Sequence, residues 1–215
     1  PLASIQTAID IVISGTAGSL TKDQNNFLAK AQESVGRLNR LITDILDLTK
    51  MESGRAQLNL QFNDLNKVIN EVVEIQGSVA KKGGLYLKAS LDPSLPKIPF
   101  DTDKINQVLY NFINNAVKFT EKGGIIVVSK NNTEQNHIEV CIRDTGPGIK
   151  QEDIPKLFQK FQQLGDPAKR TAGTGLGLAI CKEIIAQHSG KVWVESQLGH
   201  GSGFYFTLPI EERRK

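Results

Sequence analysis

A stripe of mostly apolar residues, at alternating spacings of three and four, runs through residues 28–49. This spacing is typical of a long amphipathic helix with about three heptads of seam. The stripe comprises Leu28, Ala31, Val35, Leu38, Ile42, Ile45 and Thr49, and it is broadened by Leu41 and Leu48. Thr21 and Gln24 have the spacing of a capping box at the start of this helix, and Gly54 ends it.

A shorter helical pattern precedes the stripe, so residues 1–54 are predicted to form a helical hairpin. Its apolar residues are Leu2, Ile5, Ile9, Val12 and Ile13, and two glycines, Gly15 and Gly18, separate it from the longer helix. One hairpin cannot enclose a stripe of this width by itself. Either a second copy covers it, giving a homodimer held by a four-helix bundle, or the following domain does. We favour the homodimer.

Composition narrows the class of protein. With 39% hydrophobic and 23% charged residues, the 215-residue chain is ordinary for a globular protein. A net charge of +3 is too small to indicate a nucleic-acid partner. No run approaches the roughly 18–20 apolar residues that span a bilayer, and no secretion signal opens the sequence. Cys141 and Cys181 lie in apolar surroundings and are expected to be buried thiols, and a zinc site is not expected.

Residues 55–215 mix strands and helices without a strict alternation, which predicts an α+β fold: an α/β sandwich with one helical layer. Predicted strands cover residues 58–62, 85–91, 125–129, 138–142, 191–196 and 203–208. Predicted helices begin at Asp64 and Asp101, the latter running to about Phe119, and cover about 154–161 and 176–188. A proline-rich loop joins the strand at 85–91 to the helix that begins at Asp101.

Three polar residues share one face of the helix that ends near Phe119. Asn111, Asn115 and Lys118 are spaced by four and three residues, so their side chains lie together. A neutral carboxamide oxygen can complete the octahedral coordination of Mg²⁺ while phosphates and waters supply the charge. Lys118 adds a positive charge for phosphate. A solvated polar face is the alternative interpretation of this motif alone.

Three glycine-containing motifs follow in order. Asp144, directly after a strand, precedes Gly146, Gly148 and Ile149; its carboxylate could accept a hydrogen bond from an exocyclic amine, although an ordinary turn has the same pattern. The next motif opens a helix, whose N-terminus suits phosphate, and comprises Gly173, Thr174, Gly175, Leu176, Gly177 and Leu178. The last is the turn of Gly199, Gly201, Ser202 and Gly203. Neither the dinucleotide fingerprint nor the Walker pattern is present.

Together these motifs resemble the N, G1, G2 and G3 boxes of sensor histidine kinases, and Phe158 and Phe161 resemble the F box. The resemblance covers essentially the whole chain. It implies that Asp144 binds the adenine amino group of ATP, and that Asn115 ligates magnesium. It also implies that Asn111 and Lys118 contact phosphates. Residues 150–174 would form a lid over ATP, from which Arg170 or Lys169 could reach the phosphates. Phe119 stands where the family often has tyrosine.

The residue at position 111 distinguishes the kinases from the hydrolysing ATPases that the chain also resembles. Related gyrase-type and chaperone ATPases carry a glutamate where this chain has Asn111, and asparagine cannot act as a general base at neutral pH. We therefore expect a histidine kinase that binds Mg-ATP and hydrolyses it poorly. A hydrolysing ATPase of the same superfamily and a nucleotide-binding dimeric scaffold are the alternatives.

The resemblance also implies a phosphoacceptor and a partner. Pro1 and Leu2 resemble the end of the family's histidine box, so the phosphorylated histidine is expected five residues before Pro1 and absent from this chain. None of the three histidines, His137, His188 and His200, lies on the hairpin, and each is expected to be structural. The phosphoryl group would pass to a response-regulator receiver domain. The expected location is cytoplasmic, with any membrane anchor in segments outside this chain.

Overall fold

The computed structural model describes residues 1–16, 18–53, 57–163 and 174–210. Helix α1 spans Leu2–Ile13 and helix α2 spans Lys22–Glu52. The Thr21 hydroxyl accepts a hydrogen bond from the Gln24 amide, and the Gln24 side chain accepts one from the Thr21 amide, which confirms the predicted capping box. The two helices pack against each other as the predicted hairpin.

Seven strands and three longer helices follow the hairpin among the described residues. The strands are β1 (Gln61–Asn63), β2 (Tyr86–Leu91), β3 (Ile98–Phe100), β4 (Gly124–Asn132), β5 (His137–Asp144), β6 (Val192–Ser196) and β7 (Ser202–Pro209). The helices are α3 (Leu65–Lys82), α4 (Thr102–Phe119) and α5 (Gly177–Gln187). Strands β1 and β3 form a small antiparallel pair. The main sheet has the order β2-β4-β5-β7-β6, with only the β2–β4 pair parallel.

One layer of helices covers one face of the main sheet, as an α/β sandwich requires. Helices α3, α4 and α5 all contact sheet strands, and their apolar faces are buried with the inward residues of β4, β5 and β7. At the centre, the Phe112 ring of α4 lies 5.4 Å from that of Phe204 and 6.4 Å from that of Phe206, measured between centroids. This core holds α4 rigidly, and α4 carries the asparagine motif.

Aspartates begin both of the predicted helices that position this layer. Asp64 accepts a hydrogen bond from the Lys67 amide, and Asp101 accepts one from the Lys104 amide. Asp101 is itself held by buried His188, whose Nε2 accepts from the Asp101 amide at 3.1 Å. The other ring nitrogen of His188 donates to the Ile184 carbonyl at 2.8 Å, so this histidine is structural, as predicted.

Three expectations about secondary structure need correction. The predicted strand at 58–62 is reduced to β1, and the proline-rich loop contains β3, which pairs with β1. The predicted helix at 154–161 is only a 3₁₀ turn at Ile154–Lys156. Its amides bond three residues back rather than four, and Phe161 has a left-handed φ of 61°, which a helix does not accommodate.

The hairpin also contacts the second domain. Leu48 and Met51 of α2 are buried in the common core, and Lys104 of α4 lies 3.6 Å from Asp47. Leu38, Ile42 and Ile45 instead remain 41–45% exposed. The predicted stripe is therefore divided: one edge packs on the following domain, and the seam itself is uncovered in a single chain.

Both cysteines are buried and neither forms a disulfide, as expected from their apolar surroundings. Burial raises the pKa of both thiols above the ordinary range, because a thiolate would be poorly solvated there. Among the described residues, no helix combines the length and the apolar character that crossing a membrane requires.

Candidate functional site

Asp144 lies at the end of β5 with its side chain buried. Its Oδ1 accepts hydrogen bonds from the Gly146 amide at 2.7 Å and from the Ser202 amide at 3.3 Å. Oδ2 has no hydrogen-bond partner among the described residues. Burial raises the pKa of Asp144, and the two amide bonds only partly offset that effect. The result is a fixed acceptor with one oxygen available to a ligand.

Glycines surround this carboxylate because the backbone approaches too closely for a side chain. A Cβ on Gly201, where φ is +85°, would lie 2.1 Å from the Asp144 carbonyl oxygen, and one on Gly146 would lie 2.8 Å from Oδ1. A Cβ on Gly148, where φ is +70°, would lie 2.1 Å from the Gln197 carbonyl oxygen. The two motifs around Asp144 therefore form one compact cradle.

Ser196 ties this cradle together, although sequence reasoning missed it. Its hydroxyl accepts from the Ile149 amide at 2.8 Å, donates to the Gly201 carbonyl at 2.8 Å and lies 2.9 Å from the Ser202 hydroxyl. A small hydroxyl residue at a strand end, directly before a glycine-rich turn, was the available signal. The motif of Asp144 and the turn before Ser202 thus meet at Ser196, a contact that neither motif predicts by itself.

The asparagine motif faces the start of α5. Asn115 Nδ2 donates to Asn111 Oδ1 at 3.1 Å, and both side chains are half-buried. A Cβ on Gly177 would lie 2.2 Å from Asn111 Nδ2, so the first residue of α5 packs directly on this carboxamide. Leu176 is fully buried and no side chain caps α5 within the described residues. The start of α5 and the Asn111 carboxamide therefore lie in contact.

Lys118 and Phe119 lie at the exposed end of α4. The Lys118 ammonium is 5.1 Å from the centroid of the Phe119 ring, and that ring is exposed. Partial burial lowers the pKa of Lys118, and the positive charge of Arg37 on α2 lowers it further. A nearby anion would restore it, because opposite charge favours the ammonium.

Of the remaining predicted site residues, some pack against the rest of the domain and others are exposed or lie outside the described residues. Gly175, with φ of +71°, packs on the backbone of Phe161, since a Cβ there would lie 2.9 Å from the Phe161 Cα. Phe158 packs partly buried against the core, whereas the Phe161 side chain is 63% exposed. Arg170 and Gly173, and Lys169 with them, lie outside the described residues.

Thr174 links the glycine motif to the hairpin, which sequence reasoning also missed. Its hydroxyl donates to Asp44 Oδ2 at 3.0 Å and accepts from the Leu176 amide at 3.2 Å. Burial raises the pKa of Asp44 despite the Thr174 bond. The sequence signal for this contact is Asp44 itself, an acidic residue at helical spacing between Leu41 and Leu48.

The residues present fit a nucleotide bound with a divalent ion. Asp144 offers an unpartnered acceptor inside a glycine cradle, and the Thr120 hydroxyl, buried beside Gly146, has no partner among the described residues. Neutral carboxamide oxygens and the uncapped helix start lie apart from them, on α4 and α5. A flat polar base and a charged phosphate chain need this division of chemistry.

Comparison with known proteins adds independent findings. Residues 100–212 match the family described as histidine kinase-, DNA gyrase B- and HSP90-like ATPase, and residues 1–54 match the His Kinase A (phospho-acceptor) domain. Hybrid signal transduction histidine kinase L of Dictyostelium discoideum is 37% identical over 99% of this chain and 13% of its own length. The adaptive-response sensory kinase SasA of Synechococcus sp. (strain JA-2-3B'a(2-13)) is 32% identical over 98% of this chain and 56% of its own length.

Solved structures agree. Full-length ShkA in complex with AMPPNP has a TM-score of 0.78 and 29% identity, covering 97% of this chain and 45% of ShkA. The catalytic domain of histidine kinase ThkA has a TM-score of 0.61 and 31% identity over 72% of this chain and 96% of that domain. ThkA has also been solved in complex with the response regulator protein TrrA; that chain shares the fold, with a TM-score of 0.71. This chain spans little more than half, or less, of the curated relatives described above.

Proposed function

The chain belongs to the sensor histidine kinase family, and from that premise we propose that residues 55–215 bind Mg-ATP for phosphoryl transfer to a histidine. The observation that carries the proposal is the Asp144 carboxylate: one oxygen is held by two backbone amides and the other has no partner among the described residues. AMPPNP in the related ShkA structure supports the same choice of ligand.

Base recognition falls to the cradle around Asp144. An ionised carboxylate only accepts hydrogen bonds, so it suits the amino group of adenine and repels the carbonyl oxygen that guanine presents at that position. The closely packed Gly146 and Gly148 leave backbone surface against which a flat ring can lie. Because the pKa of Asp144 is raised, binding is expected to weaken with acidification at a higher pH than an ordinary aspartate would cause.

Phosphate recognition falls to α4 and α5. Asn115 would ligate Mg²⁺ through its carboxamide oxygen, with Asn111 and Lys118 directed at phosphates. Gly177 allows the first turn of α5 to reach this face, and its amides carry the positive end of the helix dipole. Bound Mg-ATP would supply the transferable phosphoryl group and a divalent charge that neutralises the phosphates.

Asn111 favours transfer over hydrolysis. Its side chain is neutral and hydrogen-bonded to Asn115, so it cannot take a proton from water. A hydrolysing ATPase remains the second candidate function within this superfamily. Steady-state phosphate release separates the two, since a kinase without its acceptor should turn over far more slowly than a hydrolase. A nucleotide-binding dimeric scaffold, the other alternative, would bind Mg-ATP but neither hydrolyse it nor transfer its phosphoryl group.

The hairpin, residues 1–54, is proposed to form the homodimer. Leu38, Ile42 and Ile45 form an exposed apolar seam on α2, and a second hairpin would bury it in a four-helix bundle. A response-regulator receiver domain is proposed as the partner of the full protein. The ThkA–TrrA complex supports this, since the ThkA catalytic domain is 31% identical to this chain.

The acceptor histidine is proposed to lie outside this chain. His137, His188 and His200 all follow the hairpin, and His188 is committed to structural hydrogen bonds at both ring nitrogens. Incubation with γ-labelled Mg-ATP should therefore leave this chain unlabelled. Acid-labile label on any of the three histidines would contradict the proposal.

Calorimetry tests the nucleotide site directly. Asp144→Ala and Asn115→Ala should each weaken Mg-ATP binding by tenfold or more, about 1.4 kcal/mol or greater, because each removes an oxygen that is proposed to bind the base or the metal. Asn106→Ala, on α4 but away from the asparagine face, is the matched control and should bind normally. Undiminished affinity in Asp144→Ala would overturn the assignment of the base site.

A further inference from the structure

Ser196 is the last residue of β6 and its hydroxyl makes full use of its hydrogen-bonding capacity. A hydroxyl has one donor and two acceptor positions. Here it donates to the Gly201 carbonyl and accepts from the Ile149 amide, and the Ser202 hydroxyl lies close enough to occupy the second acceptor position. With all three positions occupied, this hydroxyl has none left for a ligand.

The three bonds join the two loops that flank Asp144. Ile149 ends the loop of Gly146 and Gly148, and Gly201 lies in the turn before β7. Among the described residues, two side chains hydrogen-bond both to the first loop and to the turn or to Ser202 directly after it: Asp144, through the Gly146 and Ser202 amides, and Ser196, through the Ile149 amide and the Gly201 carbonyl. Asp144 is the proposed contact to the base, which leaves Ser196 as a brace.

We propose that Ser196 is a positioning residue for base recognition, which sets the distance between the two loops and so the place of the Asp144 carboxylate. This inference rests on the proposed nucleotide function. Ser196 acts through Ile149 and Gly201 and touches neither the α4 asparagines nor the start of α5. Its loss should therefore weaken the base-dependent part of binding and leave the phosphate-dependent part in place.

Two other contacts close to these loops do not replace the Ser196 hydroxyl. The Gly199 amide donates to the Pro147 carbonyl at 2.6 Å, and Gln151 Nε2 donates to the Ser196 carbonyl at 2.7 Å. The first bond does not involve position 196, and the second uses a backbone carbonyl that any residue at 196 would retain, so neither provides a partner for the Ile149 amide or the Gly201 carbonyl. Removing only the hydroxyl leaves the Ile149 amide and the Gly201 carbonyl without their partner, and both groups can regain one only by moving.

The experiment compares Mg-ATP and Mg-GTP binding by calorimetry in wild type, Ser196→Ala, Ser196→Thr and Ser90→Ala. Ser196→Ala should bind Mg-ATP about tenfold more weakly, with little change for Mg-GTP, so that the ATP preference shrinks. Ser196→Thr retains the hydroxyl and should restore the preference to within about twofold. Ser90, an exposed serine of β2 whose hydroxyl has no hydrogen-bond partner among the described residues, is the matched control.

The outcomes separate this inference from the function on which it rests. Equal losses for both nucleotides in Ser196→Ala would show a merely structural role and overturn the inference, as would unchanged Mg-ATP affinity. Wild-type protein that binds no Mg-ATP would overturn the proposed function, and this inference with it. Thermal unfolding of each variant identifies loss of the fold, and in that case Ser196→Thr alone decides, since loss of the ATP preference there contradicts the proposal.

Discussion

At the scale of single residues, the proposed base site around Asp144 contains positions where no side chain fits. Gly201 and Gly199 make a natural pair, because both have left-handed φ angles, +85° and +84°. A Cβ on Gly201 would meet the Asp144 carbonyl oxygen at 2.1 Å, whereas one on Gly199 would meet nothing within 4 Å. A side chain would strain the backbone at both positions, but only at Gly201 would it also collide with another atom.

Gly201→Ala should therefore distort the Asp144 site, whereas Gly199→Ala should only destabilise the turn. We expect Gly199→Ala to cost about 1 kcal/mol of unfolding free energy with near-normal Mg-ATP affinity. Gly201→Ala should cost about 2–3 kcal/mol and at least tenfold in affinity. Denaturant unfolding and calorimetry measure the two quantities. Equal effects in both variants would mean that the close approach to Asp144 is unimportant.

At the scale of elements, His188 joins the end of α5 to the start of α4. It is buried, and its two ring nitrogens are used by Ile184 and Asp101 in the neutral form. Burial lowers its pKa, with only partial compensation from the Ile184 bond and the Asp101 charge. The imidazole is therefore harder to protonate in the folded chain than in the unfolded one.

The lowered pKa of His188 makes the stability of the fold depend on pH. Below the unfolded pKa of about 6.5, the unfolded chain binds a proton that the folded chain does not, so stability falls as the pH decreases. Between pH 6.5 and the lowered folded pKa, the slope contributed by His188 is at most about 1.4 kcal/mol per pH unit. His188→Gln should flatten this region of a pH series of urea unfolding. An unchanged slope in His188→Gln would contradict this assignment.

The elements themselves were largely predictable, because each was encoded locally. Periodicity and aspartate caps indicated α3 and α4, and the capping box indicated α2. The region after Asp153 was mispredicted, since its apolar spacing suits a helix, whereas the chain forms only a 3₁₀ turn there and has a left-handed φ at Phe161. Strand β3 was hidden among prolines because its pairing with β1 depends on residues almost forty positions away.

At the scale of the whole molecule, α2 has two apolar surfaces, of which a single chain covers one. Leu48 and Met51 are buried against the second domain, and Asp44 and Asp47 add polar contacts to Thr174 and Lys104. The seam of Leu38, Ile42 and Ile45 stays open. Both interpretations of the stripe are therefore compatible: one edge packs on the following domain, and the exposed seam is available to a second copy.

Ile42→Lys should convert the proposed dimer into a monomer, because a charge at the seam cannot be solvated inside a four-helix bundle. Sedimentation equilibrium should show the change, while calorimetry should show unchanged Mg-ATP affinity, since α4 and α5 are untouched. Ile75→Lys, at an exposed isoleucine of α3, is the control and should leave the association state unchanged. A dimer that survives Ile42→Lys would place the interface elsewhere.

The sequence by itself determined the family and most of the elements, and it indicated the residues that are proposed to bind a ligand. Those properties reside in short segments whose spacing and caps act locally. Only the tertiary structure decided that Ser196 braces the Asp144 cradle, that Gly177 rests on Asn111, and that Asp44 reaches Thr174. These contacts join residues 47 to 130 positions apart, and the packing of the core, rather than any local pattern, brings such residues together.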